Sequence, residues 1–418
     1  MRSLKTLRLA TPPAILVLVA FFVSTALMIT VPIISAAQPA QAKKSDTHAP
    51  IGGIHELKIG DAAPDFSLPG IDGKTHSLAD YKGGEILMVV FLSNHCPDSH
   101  AAQGRILKLA AEMKDKGLVV IAINPNNPDG VSIDELGYSK YSDSFEDMKK
   151  YAAETKLTIP YLYDGEKQVV AKAYGCLATP HVFIFDAQRK LRYKGQFDDS
   201  RFGEESTVRS TDARDAVVAL LAHTPVPVAV TRPHGCATKW LENRANIAAT
   251  VGKWDKTPVD AAPIDAAGVA ALRKNGTKKV RLFNVWATWC APCRTEFPEL
   301  VKTSRQFSNR DFELITISLD DLKDLDKAKA FLEKQGAGLP NRLKAALKAE
   351  GRATNSYLFT GANTNELITA LDPAWPGPAP HTVLVGPTGN VLWRHNGPVN
   401  GDELRAKVLE YMGEYYKP

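Results

Sequence analysis

Cysteine is scarce in this sequence, and its scarcity limits the kind of protein that the chain can form. Five cysteines among 418 residues are too few for a small scaffold held together by disulfides. Their number is odd, so at least one thiol stays unpaired within the chain unless it bonds another molecule or carries chemistry. The single Cys-x-x-Cys motif, Cys290 to Cys293, has no second ligand pair in register, which argues against a zinc site.

Clustered charge is also lacking. The net charge of +5 is spread along the chain, and without a polybasic patch the sequence gives no basis for a nucleic-acid partner. A composition of 44% hydrophobic and 23% charged residues is that of a soluble globular protein. The length of 418 residues predicts two or three domains.

The N-terminal residues have the pattern of an export signal. Three basic residues within the first eight positions precede a strongly apolar stretch, 14–34, and small residues follow it. This order predicts a signal peptide or an N-terminal membrane anchor over residues 1–45, because the apolar stretch is nearly long enough to span a bilayer. With either outcome, the positive-inside bias predicts that the remaining chain is exported to the bacterial periplasm or cell envelope.

A strand-to-helix junction places two thiols three positions apart. Residues 280–285 form an apolar run of strand length, and apolar residues recur at helical spacing after Pro292. Cys290 would lie at the positive end of that helix, where unpaired backbone N–H groups lower the thiol pKa and populate the thiolate. Cys293, one turn further along, is placed to resolve a mixed disulfide. The pattern predicts a redox-active disulfide between these two cysteines.

Both halves of the chain repeat one plan of alternating strands and helices. Strands are expected at 86–92, 118–123, 182–185 and 191–197 in the first half and at 280–286, 312–318, 381–385 and 391–394 in the second. Between the halves, residues 246–266 lose periodicity and gain proline, alanine and aspartate, which is typical of a linker. The expected domains are therefore 50–245 and 267–418.

The second half resembles a known family at its dithiol. Residues 283–298, Phe-Asn-Val-Trp-Ala-Thr-Trp-Cys-Ala-Pro-Cys-Arg-Thr-Glu-Phe-Pro, resemble the active-site segment of the TlpA-like thiol-disulfide reductases of the thioredoxin superfamily. The resemblance implies that the first cysteine attacks, that the second resolves, that a cis-proline faces them and that an acid lies nearby. The residues concerned are Cys290, Cys293, Pro380, Glu296 and, within the matching segment, Trp289. Thioredoxins proper have a buried aspartate where this chain has Asn284, so a proton relay through that position is not expected.

The first half carries a Cys-x-x-Ser site, in which Ser99 stands where a second cysteine would be. Around it are Asn-His-Cys-Pro at 94–97, Tyr-Gly at 174–175 with Thr-Pro at 179–180, and Gly-Cys-Ala-Thr-Lys-Trp at 235–240. These segments resemble a branch of thioredoxin-like redoxin proteins related to the AhpC/TSA group. Together the two resemblances imply an α/β fold of two tandem thioredoxin-like domains, each a central mixed β-sheet flanked by helices.

Cys96 is the expected reactive thiol of the first domain, and its partner is left open. Cys176, four residues before Pro180, and Cys236 are both candidates for a disulfide with it. Pro180 starts a late strand as Pro380 does, and either a cis bond facing the thiol or an ordinary trans bond at a strand's first position would account for it.

Two features of the first domain bear on other activities. Val89 and Ser93 stand where working peroxiredoxins have a proline and a threonine, which argues against peroxide reduction. Several histidines and cysteines could converge on copper or zinc, but their spacing does not demand a metal. The leading hypothesis therefore includes neither a metal nor a cofactor.

The sequence as a whole predicts an exported thiol-disulfide oxidoreductase. It would reduce disulfides of partner proteins through Cys290 and Cys293, with a second, monothiol redox site at Cys96. Its partners would be protein disulfide substrates and an electron donor that the sequence does not identify, and a single-span anchor is one of the two outcomes for the N-terminus. Two alternatives stay open: a hydroperoxide reductase recharged by its own dithiol, and a copper or zinc carrier that uses the first-domain cysteines and histidines.

Overall fold

Two mixed β-sheets, each flanked by helices, organise residues 52–417, the part of the chain that the computed structural model describes. Both sheets are built on strands that are buried along their whole length, such as Ile86–Phe91 and Val280–Trp286. Continuous apolar runs of this kind are expected where helices cover both faces of a sheet. The predicted α/β fold of two tandem thioredoxin-like domains is confirmed.

The first domain holds a five-stranded sheet and two short strand pairs. Its strands are β1 (Ser67–Pro69), β2 (Thr75–Ser77), β3 (Ile86–Phe91), β4 (Leu118–Asn124), β5 (Tyr161–Tyr163), β6 (Ala178–Thr179), β7 (His181–Phe185), β8 (Leu191–Gly195) and β9 (Cys236–Ala237), and its helices are α1 (Pro97–Met113), α2 (Phe145–Thr155), α3 (Val169–Tyr174), α4 (Asp212–Leu221) and α5 (Arg244–Asp255). The sheet order is β5-β4-β3-β7-β8, while β1 pairs with β2 and β6 with β9. β3 lies parallel to β4 and antiparallel to β7, so the sheet is mixed.

The second domain holds a six-stranded sheet in the order β10-β13-β12-β11-β14-β15. Its strands are β10 (Ala262–Ile264), β11 (Val280–Trp286), β12 (Phe312–Ser318), β13 (Ser356–Phe359), β14 (His381–Val385) and β15 (Val391–Asn396), and its helices are α6 (Ala266–Lys274), α7 (Ala291–Gln306), α8 (Leu325–Lys334), α9 (Asn341–Ala349), α10 (Thr364–Leu371) and α11 (Gly401–Met412). As in the first domain, the central strand β11 is parallel to one neighbour, β12, and antiparallel to the other, β14.

Alternation along the central strands creates two apolar cores per domain. In the second domain, Leu282 of β11 faces the core that contains Phe297 of α7, whereas Phe283, the next residue, faces the core that contains Leu367 of α10. Successive side chains of a strand point to opposite faces. Packing on both faces fixes where each strand ends, and the reactive cysteines lie just beyond those ends.

Residues 246–266, expected to be a linker, contain regular secondary structure. They form most of α5 and the edge strand β10, which pairs parallel with β13. Neither element has a clear sequence pattern: α5 has no fully buried residue and therefore no distinct apolar stripe. β10 is three residues long, too short for a readable alternation. The second sheet therefore begins before residue 267.

The predicted signal or anchor, residues 1–45, lies outside the described residues. Within residues 52–417, no helix combines the length and the apolar character that crossing a membrane requires.

The two domains contact each other through the C-terminal end of α7. The side-chain amide of Gln306 donates to the carbonyl oxygens of Leu136 and Ser139 at 2.8 and 3.1 Å, and the guanidinium of Arg310 donates to the carbonyl oxygen of Gly137 at 2.7 Å. These bonds satisfy loop carbonyls of the first domain that would otherwise be covered without a partner.

Candidate active site

A disulfide joins Cys290 and Cys293 at the start of α7. Cys290 is the N-cap residue of the helix, and its sulfur accepts a hydrogen bond from the backbone N–H of Cys293 at 3.3 Å. Pro292 occupies the first turn, where its missing N–H removes no helical hydrogen bond. Cys290 is 6% exposed and Cys293 is fully buried, so an incoming group reaches the first sulfur before the second.

An exposed tryptophan and a cis-proline lie near the disulfide. Trp289 is 65% exposed, an unusual position for so large an apolar side chain. The Ala379–Pro380 bond is cis. Because Val285 of β11 pairs with His381 of β14, the register brings Pro380 to the end of β11 that leads to Cys290.

A buried carboxyl group lies one helical turn beyond Cys293. One oxygen of Glu296 accepts a hydrogen bond from the side-chain amide of Asn284 at 2.9 Å, and the other accepts from the backbone N–H of Val399 at 2.7 Å. Burial raises the pKa of Glu296 to about 6, against these two hydrogen bonds, which lower it. Asn284 cannot take up a proton, but it holds the neighbouring carboxyl group, which can.

Asp320 is a site residue that the sequence did not reveal. Its carboxylate accepts hydrogen bonds from the backbone N–H and the hydroxyl of Thr288, at 2.9 and 2.7 Å, and so fixes the loop in front of Cys290. Asp320 follows β12, the strand beside β11. An acidic residue just after a predicted neighbouring strand was the available signal, because the ends of adjacent parallel strands lie close together.

The first domain repeats this geometry with different chemistry. Cys96 is the N-cap residue of α1, with Pro97 in the first turn, and the Thr179–Pro180 bond is cis. The thiol of Cys96 donates a hydrogen bond to the carbonyl oxygen of Thr179 at 2.9 Å. The thiol is completely buried.

Cys236, rather than Cys176, lies beside Cys96. Cys236 pairs with Thr179 in the β6-β9 ribbon, and its sulfur lies within 4.8 Å of the Cys96 sulfur. A Cβ on Gly235 would lie 2.1 Å from the carbonyl oxygen of Thr179, so a glycine at that position is what allows the ribbon to approach so closely.

Cys176 is placed to do something else. Its thiol contacts the carbonyl oxygen of Ala178 at 3.4 Å and the hydroxyl of Thr238 at 3.3 Å. It is fully buried in the apolar core of the first domain, and burial raises its pKa to about 12. Of the two candidates for a disulfide with Cys96, Cys236 has its sulfur near the Cys96 sulfur, whereas Cys176 lies in the apolar core.

A buried ion pair lies next to Cys96 in the chain. His95 Nδ1 is 2.5 Å from an oxygen of Asp143, and neither side chain is exposed. Asp143 also accepts hydrogen bonds from the backbone N–H of Asn94 and from the amides of Asn124 and Asn126, at 2.7, 3.0 and 2.9 Å. Four donors around one carboxylate favour its ionised form. Asp143 lies in the loop before α2, where no local sequence pattern indicates its role.

Opposing effects act on the pKa of the Cys96 thiol. Burial and the negative charge of Asp98 raise it, whereas a hydrogen bond from Cys236 and the positive charge of His95 lower it, and the pKa lies below its ordinary value. The contact with the Thr179 carbonyl oxygen belongs to the protonated thiol and is lost when Cys96 ionises. The pKa of Cys236, which is partly buried, moves the opposite way, chiefly because Cys236 is the hydrogen-bond donor to Cys96. One thiol of the pair is thus set to attack and the other to stay protonated.

Asp98 completes this group of side chains. One of its oxygens lies within 4.8 Å of the sulfurs of Cys96 and Cys236. Its two oxygens accept hydrogen bonds from the guanidinium of Arg201, at 2.7 and 3.1 Å. Two thiols and a carboxylate at this spacing could either form a redox pair with an adjacent charge or hold a soft metal ion.

Comparison with known proteins agrees with this duplicated site. Residues 59–194 and 264–394 both match the AhpC/TSA family. Over 136 residues the chain is 26% identical to the thiol-disulfide oxidoreductase ResA of Geobacillus thermodenitrificans, an alignment that covers 32% of this chain and 68% of ResA. It is 28% identical over 130 residues to the thiol:disulfide interchange protein HelX of Rhodobacter capsulatus, covering 31% of this chain and 59% of HelX.

One solved structure matches a larger share of the chain. A hypothetical protein from Sinorhizobium meliloti is 34% identical, covers 44% of this chain and 96% of its own, and superimposes with a TM-score of 0.40. The chain spans about three fifths to two thirds of the lengths of ResA and HelX, so activities of those whole proteins are not transferred to it by these matches.

Proposed function

The chain belongs to the AhpC/TSA family through both of its domains, and from this premise we propose that it is a thiol-disulfide oxidoreductase that reduces disulfides of partner proteins. The observation that carries the proposal is the Cys290–Cys293 disulfide at the start of α7, with Trp289 exposed beside it and Glu296 buried behind it. ResA and HelX, which the chain resembles, are named for thiol-disulfide chemistry.

The proposed reaction moves two electrons from the dithiol to the partner. The Cys290 thiolate attacks one sulfur of the partner's disulfide, forming a mixed disulfide and releasing the partner's other sulfur as a thiolate, which takes up a proton. Cys293 then loses its proton and attacks the Cys290 sulfur, so that the partner leaves with both sulfurs reduced. An external dithiol must afterwards reduce the Cys290–Cys293 disulfide to complete the cycle.

Glu296 is proposed to accept the Cys293 proton. It lies one turn beyond Cys293 on the same helix, and its raised pKa of about 6 lets it be ionised at neutral pH and still basic enough to hold a proton. Asn284 positions the carboxyl group through the 2.9 Å hydrogen bond. In this proposal Glu296 takes the role that the buried aspartate has in thioredoxins proper.

The test measures reduction of insulin disulfides by the two domains, residues 52–417, with dithiothreitol as the electron source. Cys290→Ser should abolish turnover. Cys236→Ser is the matched control, because it removes a thiol of the first domain and leaves the Cys290–Cys293 site untouched. Full activity of Cys290→Ser, or equal loss in the two variants, would refute a reductase site at Cys290.

A second redox pair in the first domain is part of the proposal. Cys96 and Cys236 have sulfurs within 4.8 Å of each other and pKa values shifted in opposite directions, which supports formation of a disulfide between them when an oxidant is present. The Cys-x-x-Ser motif would then be a dithiol site whose second cysteine comes from β9. Peptide mapping without reductant should find the Cys96–Cys236 bridge in wild type and in Cys176→Ser. A Cys96–Cys176 bridge would refute this pairing.

The two sites are proposed to serve different partners. α7 has 16 residues, a length of about 24 Å at 1.5 Å per residue. Cys290 lies at the N-terminal end of α7, whereas Gln306, which contacts the first domain, lies at the C-terminal end. The distance between Cys290 and this domain contact supports an outside protein, rather than Cys96 of the same molecule, as the redox partner of Cys290. A Cys293→Ser variant should trap the partner protein as a mixed disulfide on Cys290, and mass spectrometry of the trapped complex would identify that partner.

A metal carrier is the second candidate function, and one observation favours it. The donor atoms of Cys96, Asp98 and Cys236 lie within 4.8 Å of one another, and two thiolates suit zinc or copper(I). We place it second because Arg201 already occupies both oxygens of Asp98. Stoichiometric zinc or copper that survives dialysis in wild type but is lost in Cys236→Ser would favour the carrier.

The proposed cellular location follows from the N-terminal pattern together with the chemistry. Disulfide exchange with protein partners fits an oxidising compartment, and residues 1–45 have the order of charges and apolar residues that directs export. We propose a bacterial periplasmic or envelope location, with cleavage or retention of the N-terminal segment to be read from the mass of the mature N-terminus. Recovery of the intact chain in the cytoplasm would refute it.

A further inference from the structure

The last residues of the second domain run across the first domain. Arg310 holds the start of this segment, because its guanidinium donates to the carbonyl oxygens of Met412 and Gly413 at 2.5 and 2.7 Å. The same guanidinium lies 4.2 Å from the ring centre of Tyr138 in the first domain. Residues 413–417 are called the C-terminal strap below.

The strap lies against residues that surround Cys96. The carboxylate of Glu414 is 4.0 Å from His100 Nδ1, and His100 lies one turn after Cys96 on α1. The ring of Tyr416 has the guanidinium carbon of Arg201 4.8 Å from its centre. The backbone of Tyr416 forms a parallel β-bridge with Phe202, so the strap is held by main-chain as well as side-chain contacts.

Arg201 connects the strap to the thiols. It binds both oxygens of Asp98, and Asp98 lies within 4.8 Å of the two sulfurs. His100 adds a second connection. Its Nε2 donates to the carbonyl oxygen of Asn94 at 2.8 Å, and burial lowers the pKa of the ring to about 4, so its Nδ1 is a hydrogen-bond acceptor. This nitrogen has no partner within the part of the chain that the structure describes, and a donor group at that point would satisfy it. The surface beneath the strap therefore offers more binding capacity than the strap uses.

We propose that the surface above Cys96 is a groove for an extended protein segment bearing an aromatic side chain, and that the C-terminal strap occupies it within the same chain. Arg201 provides a cation for the face of the aromatic ring. His100 Nδ1 provides an acceptor for a donor group of the segment, and the backbone at Phe202 provides a β-bridge, as in strand-addition recognition of peptides. The strap must leave before a disulfide partner can reach Cys96.

The substrate class follows from the occupant. A partner of Cys96 would present a cysteine close to an aromatic residue in extended chain, as Tyr416 is presented by the strap. Because the strap is tethered, its local concentration is high even if each contact is weak. This inference deepens the redox role proposed for Cys96, and it relies on that role only in treating the replacement for the strap as a substrate.

Accessibility of the Cys96 thiol tests the groove. The reduced full-length protein is exposed to iodoacetamide under native conditions, and labelling of Cys96 and Cys176 is followed by peptide mass spectrometry. A double variant, Glu414→Ala with Tyr416→Ala, should label Cys96 at least tenfold faster than wild type. Tyr411→Ala is the matched control, because Tyr411 lies in the last turn of α11 and donates to the Leu392 carbonyl oxygen within the second domain.

Cys176 separates opening of the groove from loss of the fold. It is buried in the core of the same domain, so its labelling should stay at the wild-type rate in the double variant. An unchanged Cys96 rate, or equal acceleration at both cysteines, would overturn the proposal. A pentapeptide of strap sequence, Gly-Glu-Tyr-Tyr-Lys, at millimolar concentration should slow Cys96 labelling in the double variant, and failure to do so would overturn the binding groove.

These measurements are independent of the proposed redox pair. Labelling is done on reduced thiols and reads only whether reagent reaches them, whereas peptide mapping without reductant reads whether Cys96 and Cys236 bond. A groove that opens without a Cys96–Cys236 bridge would leave the strap proposal standing and remove the second redox pair.

Discussion

Asn284 donates a 2.9 Å hydrogen bond to Glu296, one helical turn beyond the Cys290–Cys293 disulfide. The position that carries an ionisable aspartate in thioredoxins proper is therefore occupied by an amide whose contact is the carboxyl group itself. The ionisable group at this site lies on the helix rather than on the strand, and the strand residue holds its orientation. Burial raises the pKa of that carboxyl group to about 6, which gives the site a measurable pH dependence.

Glu296→Gln should slow insulin reduction about 100-fold at pH 7, within the usual range for loss of a general base. In wild type the rate should rise as the pH passes through about 6, the pKa to which burial raises Glu296. In the variant this rise in rate should occur at a higher pH, where Cys293 loses its proton without a neighbouring base. The rates are measured from pH 5 to 9.

Glu299→Gln is the control for that experiment. Glu299 lies on the same helix but pairs with Arg405 and is partly exposed, so its variant should keep the wild-type pH profile. A Glu296→Gln profile that follows wild type would show that the carboxyl group does not take the proton.

The stability of the same variant should depend on pH with a definite sign. Because burial raises the folded-state pKa of Glu296 to about 6 from 4.5, the carboxyl group favours the folded state below about pH 4.5, and that contribution is lost as the pH rises through 6. The free energy of unfolding of Glu296→Gln, relative to wild type, should therefore increase by up to about 2 kcal/mol between pH 4 and pH 8. Urea unfolding of the oxidised protein measures it, and a decrease with pH would contradict the assignment.

Asp143→Asn should raise the pKa of the Cys96 thiol. Burial is the largest single effect on the His95 pKa and lowers it, but the charge and the hydrogen bond of Asp143 raise it, and the net shift is upward. Asp143 therefore favours the charged form of His95. Without that carboxylate, His95 becomes neutral and no longer favours the thiolate. The pH midpoint of Cys96 alkylation should rise by at least one unit. Asp147→Asn, a change on the partly exposed side of α2, should leave the midpoint unchanged; a shift of equal size there would contradict the role of Asp143.

Much of the second site could be predicted because its signals are local. The apolar run of β11, the cysteines at the start of α7 and the acid one turn later all lie within one segment, and strands at 280–286 and 312–318 were found where expected. What could not be predicted depends on pairings between distant segments. Cys236 reaches Cys96 only because β9 pairs with β6.

Short or exposed elements were also beyond prediction. β10 and α5 fell within the expected linker, because neither has enough buried positions to show a period. Asp143 and Asp320 lie in loops, and an acidic loop residue has no local pattern that distinguishes a buried hydrogen-bond acceptor from a solvated charge. Their roles follow only from the donors that the folded chain brings to them.

A buried ionic network at the N-terminal ends of the central strands β11 and β12 should be important for stability. Glu313 of β12 is fully buried and accepts hydrogen bonds from Arg281 at 3.2 Å and from Arg352 at 2.5 Å. Glu313→Gln leaves two guanidinium groups without a full counter-charge. Removing one partner of a buried ion pair lowers the free energy of unfolding by about 3–5 kcal/mol. Urea unfolding measures the loss. Glu333→Gln, on the exposed face of α8, should change stability by less than about 0.5 kcal/mol, and a loss as small at Glu313 would contradict the network's role.

Arg310→Ala should loosen the C-terminal strap without changing any strap residue. Arg310 binds the carbonyl oxygens of Gly137 in the first domain and of Met412 and Gly413 at the start of the strap, so its removal should speed Cys96 alkylation at least fivefold. Arg305→Ala is the matched control, because Arg305 lies in the last turn of α7, five residues before Arg310, but pairs with Asp255 and the Gly336 carbonyl oxygen. Insulin reduction should be unchanged in both variants, since Cys290 lies at the opposite end of α7. Faster alkylation in Arg305→Ala as well would mean that general loosening of α7, rather than release of the strap, exposes Cys96.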